Sequence, residues 1–278
     1  MTPCNVPRVT TEPHDGWTRR YGSPAPEGLP RNDVLDVLYR HRSVRRFGPG
    51  EIDDAALTAI IAAAQSASTS SNLQAWSVIE VRDHDRRDAL ARLAGDQDFI
   101  RRGGVFLVFV ADWARARELA HRAGEPSDAV EYIESTIVGF IDAALAAQNA
   151  VIAAESLGLG AVYVGAVRNH PEQIADLLEL PDGAFPAFGV VLGHPDPHDR
   201  AGVKPRLPQR VVRHRETYRL PDDAEIAAYE DAVTAYYRTQ GEPRGWLRAA
   251  IARVRDAASL HGRHTMRRSL ERRGLSSR

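Results

Sequence analysis

A dense group of cations occupies residues 41–47, which read H-R-S-V-R-R-F. Three arginines and one histidine stand within these seven residues, although the whole chain is balanced, with 36 basic and 37 acidic residues. Guanidinium groups donate paired hydrogen bonds to phosphate, so the cluster could bind an anion. Cations also favour the C-terminal end of a helix dipole, so the cluster could instead be a solvated helix end. Both interpretations stay open on these residues alone.

Two further groups carry polar chemistry. Residues 68–74 read S-T-S-S-N-L-Q, and four consecutive hydroxyl residues suit neither a helix nor a strand, so this is either a surface loop or a ligand contact. The segment V-K-P-R-L-P contains Lys204, the only lysine of the chain. Proline restricts φ, which stiffens this segment and places Lys204 and Arg206 on one side of it.

Composition bounds the class of protein. The chain has 278 residues, 43% of them hydrophobic and 26% charged, which is typical of a globular protein with a sizeable core. Its single cysteine, Cys4, excludes an internal disulfide, and the first 32 residues lack the apolar core of a secretory signal. We therefore expect a cytoplasmic protein.

Nucleic-acid and membrane partners are not expected. Residues 244–278 hold ten arginines against two acidic residues, but Trp246 is the only aromatic residue among them, which argues against a base-stacking platform. The apolar run 137–157 is interrupted by Asp142, Gln148, Asn149 and Glu155, so we interpret it as a buried core helix.

Helices and strands alternate along the chain. Asn32 or Asp33 can cap a first helix, and Asp53 can cap a second that runs to about Ser66. The apolar patterns predict further helices at 84–93 and 127–157, the latter ended by Gly158, and a short helix from Pro171. They predict strands at 76–82, 105–112, 161–165 and 185–193.

These elements predict an α+β fold with two parts. Residues 1–32, rich in proline, form an arm, and residues 33–278 form one domain that ends in a basic helical extension. The glycines at 158–165 do not form a dinucleotide-binding loop, because they close a helix and enter a strand. Any bound anion must therefore be held by side chains and scattered backbone amides.

Several motifs together resemble the flavin-dependent nitroreductase family, in particular its oxygen-insensitive NADPH nitroreductase and flavin reductase branch. The motifs are H-R-S-V-R-R-F, S-T-S-S-N-L-Q-A-W, A-A-Q-N-A-V-I-A-A-E-S-L-G-L-G-A-V-Y-V-G-A-V-R-N, F-G-V-V-L-G-H-P and V-K-P-R-L-P. The likeness runs in order from about Val34 to the C-terminus, and the A-A-Q-N segment is its most specific part.

The resemblance implies both a fold and an activity. The fold is a nitroreductase-like central, mainly antiparallel sheet flanked by helices, in a two-fold homodimer with a C-terminal extension. FMN binds at the dimer interface, and NADPH, or alternatively NADH, donates a hydride to it. A nitroaromatic, quinone or free flavin then takes two electrons in the same pocket. No residue acts as nucleophile or base, and no metal takes part.

The resemblance also assigns site residues. The first basic motif meets the FMN phosphate, the hydroxyl loop lies near the flavin, the segment 163–166 lies along its ring, and Lys204 with Arg206 lies at its pyrimidine and ribityl end. The implied cofactor-binding residues are His41, Arg42, Ser43, Arg45, Thr69, Ser70, Ser71, Gln74, Gln97, Tyr163, Val164, Gly165, Ala166, Lys204 and Arg206.

The sequence departs from the family pattern at two places. Gly165-Ala166 stands where the family usually has two glycines, so the backbone there must avoid a left-handed conformation. Gln240 stands where an arginine commonly serves the 2′-phosphate of NADPH, and Arg238 and Arg244 are candidates to replace it. Arg263 is the candidate for the nicotinamide and substrate site.

Other functions stay open on the sequence. The enzyme could be a flavin reductase that supplies reduced FMN to a separate oxygenase. It could also be a non-catalytic flavin- or nucleotide-binding protein, which would bind FMN without turnover. His194 and His198 could hold a metal ion, but histidines in a turn rich in proline and aspartate are usually solvated.

Overall fold

A computed structural model describes residues 15–278, apart from the side chain of Asp15. Cys4 and the first residues of the predicted arm lie outside the described part. The chain divides into two compact units. The first contains the described residues up to Arg42 together with Arg200–Ile251, and the second contains Ser43–Asp199 and Ala252–Arg278.

Twelve α-helices and four strands are found between residues 15 and 278. The helices are α1 (Asp15–Tyr21), α2 (Asp33–Arg40), α3 (Asp54–Gln65), α4 (His84–Leu93), α5 (Asp98–Arg102), α6 (Ala114–Ala123), α7 (Ile133–Ser156), α8 (Pro171–Leu177), α9 (Gln209–Val212), α10 (Asp223–Thr239), α11 (Trp246–Val254) and α12 (Met266–Arg272). The strands are β1 (Trp76–Val81), β2 (Val105–Asp112), β3 (Gly160–Val164) and β4 (Ala184–Gly193).

The second unit is built on a four-stranded sheet in the order β1-β2-β4-β3, with every neighbouring pair antiparallel. Strands β2 and β4 are central and almost wholly buried, which explains their continuous apolar sequences. Gly189 of β4 leaves room for a ring, since a Cβ there would lie 2.3 Å from Phe106. The predicted α+β fold with a mainly antiparallel sheet is confirmed.

Local capping signals predicted the helix starts well. The Asn32 side chain accepts a hydrogen bond from the Leu35 amide, and Asp53 accepts one from the Ala56 amide at 2.7 Å. These side chains satisfy amides that have no partner within the helix. The predicted helix at 84–93 also has its predicted bounds.

The predicted start of the long helix at Ser127 is wrong. A 3₁₀ turn occupies Asp128–Glu131, Tyr132 is extended, and α7 begins at Ile133. The backbone of Arg278, far along the chain, pairs with the residues at this helix start. The Arg278 amide donates to the Glu131 carbonyl at 2.9 Å, and the Ile133 amide donates to the Arg278 carbonyl at 3.2 Å. At the other end, Gly158 has φ 81°, as expected for a residue that follows a helix.

Helix α7 packs one face against the sheet. By length and composition alone it could cross a membrane, a test that the core helix of a globular fold also passes. Nine of its residues are buried, and they follow helical spacing. One of them is the charged Asp142, whose carboxylate accepts two backbone hydrogen bonds. The prediction of a buried core helix therefore holds for this face only, because Ile137, Ile141 and Leu145 on the opposite face are about half exposed.

The first unit contains α1, α2, α9, α10 and most of α11. Trp17 of α1 is buried and lies edge-on to Tyr39 of α2, with ring centroids 5.5 Å apart. The Tyr236 hydroxyl bonds both the amide and the carbonyl of Gly202, which ties α10 to the segment before Lys204. Helix α1 lies within the predicted proline-rich arm, and the domain boundary at residue 32 stays a prediction.

Glu225 forms ion pairs with two arginines of the first unit. Its buried carboxylate accepts hydrogen bonds from Arg219 and Arg210, and also from the Asp222 amide in a capping box. The hydrogen bond from Arg219 is the main cause that lowers the pKa of Glu225 to about 2. The carboxylate therefore stays ionised, and paired, at neutral pH.

Candidate cofactor and substrate site

The first basic motif, residues 41–47, pairs with the start of strand β3. Ser43 forms a parallel bridge with Ala161, and the Val44 amide donates to the Ala161 carbonyl at 2.9 Å. Val44 is buried against Gly160, where a Cβ would lie only 2.7 Å from its side chain. Arg45, the next residue, is exposed, and it has no ion-pair partner within residues 15–278. A free guanidinium therefore stands beside the start of β3.

The end of β3 leads into a 3₁₀ turn at Gly165–Asn169. Neither Gly165 nor Ala166 has a positive φ, so alanine is accommodated where the family pattern has a second glycine. A Cβ at Gly165 would lie 3.5 Å from Nη2 of Arg168 and 4.0 Å from Nη1 of Arg263. Two guanidinium groups thus converge on Gly165.

The two arginines line a cavity of about 220 Å³, together with residues of α8 and the segment before α12. Burial lowers the pKa of Arg168, and the nearby Arg263 and Arg253 lower it further. The pKa of Arg263 is lowered by burial and then by Arg253. The Glu172 carboxylate also lines the cavity, but its oxygens are already bonded to Ser269 and Arg272. An anionic ligand would therefore offset the repulsion between Arg168 and Arg263.

The hydroxyl loop is held in a strained conformation. Ser71, Asn72 and Gln74 have φ values of 49°, 57° and 52°, which non-glycine residues adopt at a cost. Asp142 supports the loop from beneath, since its two carboxylate oxygens accept from the amides of Ser70 and Ala75, each at 3.0 Å. Strain of this kind persists only where the surroundings fix it, and it is frequent at ligand sites.

The remaining side chains of the loop are accessible. Gln74 donates its backbone amide to the Thr69 hydroxyl at 3.2 Å, and the side chains of Ser70, Ser71 and Gln74 are exposed. The fixed backbone therefore presents several polar side chains in one short stretch.

Gln97 lies near the turn after β3. Its side-chain amide donates to the Ala94 carbonyl at 2.9 Å. Gly95 lies two residues before Gln97. A Cβ added to Gly95 would lie 3.8 Å from the side-chain amide nitrogen of Gln97 and 3.9 Å from Cβ of Ala166. Tyr163 on β3 packs against Phe188, with ring centroids 5.6 Å apart. Gln97 and Ala166 of the segment 163–166 thus both lie close to Gly95.

The first unit carries its own group of predicted site residues around one aromatic ring. Nζ of Lys204 lies 5.7 Å from the centroid of Tyr237, and Cζ of Arg244 lies 4.1 Å from it. These distances are typical of cation–π contacts. Arg238, by contrast, is exposed at the end of α10 and does not join this group. Arg244 is therefore the better placed of the two candidates to replace the missing arginine at Gln240.

His41 and Arg42 follow α2 directly. His41 is the residue after the last helical turn, with φ −48° and ψ 131°, so the chain leaves the helix in an extended conformation. Arg206 is exposed, and its guanidinium turns back to the carbonyls of Lys204 and Pro205 at 3.4 and 3.3 Å.

Comparison with known proteins finds the same family that the sequence motifs resemble. The family model described as "Nitroreductase family" matches residues 38–194, and "Nitroreductase family, C-terminal domain" matches residues 204–278. The chain belongs to the nitroreductase family. The predicted resemblance is confirmed.

Named relatives of this nitroreductase include "FMN reductase (NADPH)" of Bacillus subtilis, 40% identical over 74% of this chain and 84% of the relative. "Oxygen-insensitive NADPH nitroreductase" of Salmonella typhimurium is 40% identical over 75% of this chain and 84% of that protein. Among solved structures, "NADPH:FMN oxidoreductase from Vibrio harveyi complexed with NAD+" has 34% identity and a TM-score of 0.79, covering 89% of this chain and 100% of that chain.

Several groups of this chain suit an anionic, heteroaromatic cofactor. The Arg45 guanidinium, which has no ion-pair partner within residues 15–278, and the exposed polar side chains of the hydroxyl loop are of the kind that bind phosphate and a heteroaromatic ring. Among residues 15–278, no group of three or more histidine, cysteine or carboxylate side chains is placed to hold a metal.

Sequence reasoning missed three residues that contact predicted site residues or hold them in place. Arg168 shares the cavity with Arg263, and Asp142 supports the hydroxyl loop. The ring of Tyr237 makes cation–π contacts with Lys204 and Arg244. Two of them had a signal: Arg168 stands in the A-V-R-N end of the most specific motif, and Asp142 is a lone carboxylate in a long apolar run. Asp142 lies far in sequence from the loop that it supports, and Arg168 lies far from Arg263, although it is only three residues from Gly165.

Proposed function

We propose that this nitroreductase is an FMN-dependent NAD(P)H oxidoreductase that passes two electrons to a nitroaromatic, a quinone or a free flavin. NADPH is the preferred donor, and the protein acts in the cytoplasm. FMN, when bound, supplies the chemistry of accepting a hydride and releasing two electrons. The protein residues bind the cofactor, orient the donor and acceptor, and balance their charge.

The proposal rests mainly on strand β3, which pairs with the first basic motif at one end and leads to Gly165 at the other. At its start it pairs with Ser43 and Val44, next to the free Arg45. At its end it delivers Gly165 to Arg168 and Arg263. Four residues of extended chain separate the two ends, or about 13 Å at the usual rise per residue. Cations therefore lie at both ends of β3, and Tyr163 is the one exposed residue of this strand.

The two arginines at Gly165 are proposed to bind the nucleotide donor and anionic acceptors. Their side chains are held before any ligand arrives: Arg168 donates to the Ala187 carbonyl, and Arg263 donates through Nε to the Leu260 carbonyl at 3.1 Å. Their other guanidinium nitrogens have no partner within residues 15–278 and can donate to phosphate or carboxylate oxygens. Lys204, Arg206 and Arg244 are proposed cofactor and donor residues on the strength of their motifs.

We also propose a two-fold homodimer formed through α7. Its outer face exposes Ile133, Ile137, Ile141 and Leu145, by 45%, 46%, 52% and 44%. These residues follow at four-residue intervals, so they form one apolar stripe along the helix. A contiguous exposed stripe of this kind favours burial against a partner, and the same stripe on a second copy is the natural complement in an isologous dimer.

The test of the proposed activity begins with an absorbance spectrum of the purified protein. We expect bound flavin, or stoichiometric binding of added FMN, and bleaching of the flavin absorbance by NADPH without oxygen. Turnover is then compared with a nitrofuran and with free FMN, which separates the nitroreductase from a flavin reductase that serves an oxygenase. Failure to bind FMN, or binding without reduction by either nicotinamide, would remove the proposed activity.

Replacement of Arg263 by methionine is expected to raise KM for NADPH by about tenfold, the effect of one charge-assisted hydrogen bond, while kcat changes little. Methionine keeps most of the side-chain volume and removes only the charge and the donors. Steady-state kinetics with NADPH and NADH measure the effect. The matched control is Arg255→Met, because Arg255 is exposed and pairs with the adjacent Asp256 in the same C-terminal segment. Equal KM values in both variants would contradict the role given to Arg263.

A further inference from the structure

Helix α1 is joined to the C-terminal end of α2 by one buried arginine. Arg20 is 7% exposed. Its Nη2 lies 3.4 Å from the Leu38 carbonyl, 3.1 Å from that of Tyr39 and 3.0 Å from that of His41. The last carbonyls of a helix have no partner within the helix and carry its negative dipole end, so a buried guanidinium is a strong cap.

This contact bears on the cation cluster that follows α2. A solvated helix end would need the arginines of residues 42–46 to cap α2, but Arg20 already occupies that position. Arg45 makes no ion pair with any residue from 15 to 278. Arg45 is thereby left for a ligand, whereas Arg46 pairs with Asp196 and the carbonyl of His41, the first residue of the cluster, is fixed by Arg20.

Arg20 is also bonded to the second basic motif. The Arg206 amide donates to the Arg20 carbonyl at 2.9 Å. One residue of α1 therefore contacts, within the first unit, both the segment of His41 and Arg42 and the segment of Lys204 and Arg206.

The packing of α1 makes this arrangement rigid. Trp17 is 8% exposed and lies against Tyr21 and Tyr39. Gly16 allows the close approach of α1 to α2, because a Cβ there would lie 2.8 Å from the Tyr39 carbonyl. Helix α1 precedes residue 38, where the matched family range begins.

We propose that Arg20 is a positioning residue for FMN, which fixes the two basic segments of the first unit in the arrangement that binds the cofactor. The proposal rests on the proposed FMN function of those segments. It gives the segment before α2 a role in cofactor affinity. Arg20 itself need not touch FMN, because it acts through the backbone of His41 and Arg206.

The test is the FMN dissociation constant of Arg20→Met, measured by flavin fluorescence on the apoprotein. We expect a roughly tenfold weaker affinity, because the cations must be ordered again on binding. At saturating FMN, kcat should return to the wild-type value. The backbone amides of residues 41–43 should exchange hydrogen faster, whereas the amide of residue 206 should not, because its acceptor is the backbone carbonyl of residue 20 and stays in the variant. Arg20→Lys, which keeps the charge but has fewer donors, should give an intermediate affinity.

Two controls separate positioning from general loosening. Arg19→Met changes the exposed neighbour on the same helix and should leave FMN affinity within about twofold. Glu225→Gln weakens the ion pairs with Arg210 and Arg219 in the same unit and should lower Tm without changing FMN affinity. An equal loss of affinity in Glu225→Gln, or wild-type affinity in both Arg20 variants, would overturn the proposal. If Arg45→Ala also leaves FMN affinity unchanged, the proposed cofactor site fails with it; if only the Arg20 variants do, the positioning role alone fails.

Discussion

Replacement of Arg45 by alanine is expected to weaken FMN binding by roughly tenfold to a hundredfold, the largest effect that we expect from any single cation of the first motif. The side chain is exposed, unpaired within residues 15–278 and carried by a segment fixed to β3. A charge-assisted hydrogen bond contributes about 1.5–3 kcal/mol, and about 1.4 kcal/mol corresponds to tenfold in affinity. Its fixed backbone means that little ordering entropy offsets this contribution.

The neighbouring Arg46 provides the matched control for Arg45→Ala. Arg46 has a similarly exposed side chain, but its Nη2 pairs with Asp196 at 3.1 Å. Arg46→Ala should therefore change FMN affinity by less than about twofold, since exposed ion pairs contribute little. Both variants are measured by titrating apoprotein with FMN at two ionic strengths. Equal affinities in the two variants would show that the first motif does not hold the cofactor.

Most of the fold could be predicted because its signals are local. The caps at Asn32 and Asp53, the glycine after α7 and the apolar strands at 105–112 and 185–193 each depend on a few adjacent residues. The start of α7 could not be predicted in this way. It depends on the backbone of Arg278, which is more than a hundred residues away in sequence and pairs with Glu131 and Ile133.

In the candidate site, too, local sequence predicts some residues, whereas contacts between distant segments place the others. Motif residues such as Arg45 and Gly165 could be named from the sequence, because their spacing matches the family pattern. The sequence could not show that Arg168 and Arg263, far apart in the chain, meet at Gly165, nor that Asp142 holds a strained loop of another segment. Those contacts follow from the antiparallel order of the sheet and the packing of α7, which no local pattern contains.

Introducing two carboxylates on the outer face of α7, by Ile137→Glu with Ile141→Glu, is expected to convert the proposed dimer into monomers. The two residues are 46% and 52% exposed in the single chain and stand at the centre of the apolar stripe. Burying the remaining half of each such side chain contributes roughly 1 kcal/mol. An unpaired carboxylate in an apolar interface costs several kcal/mol, so four of them per dimer weaken association by about 5 kcal/mol or more, some four orders of magnitude.

Size-exclusion chromatography with light scattering measures this change directly, and FMN content is measured on the same fractions. The matched control is Leu119→Glu, because Leu119 is 61% exposed on α6 of the same unit and lies outside the stripe, so the added charge should leave the mass at two chains. If the cofactor site is shared between protomers, the monomeric variant loses FMN as well, because each protomer then lacks part of the site. A monomer that keeps FMN would refute the shared site, and a dimer that survives both substitutions would place the interface on another face.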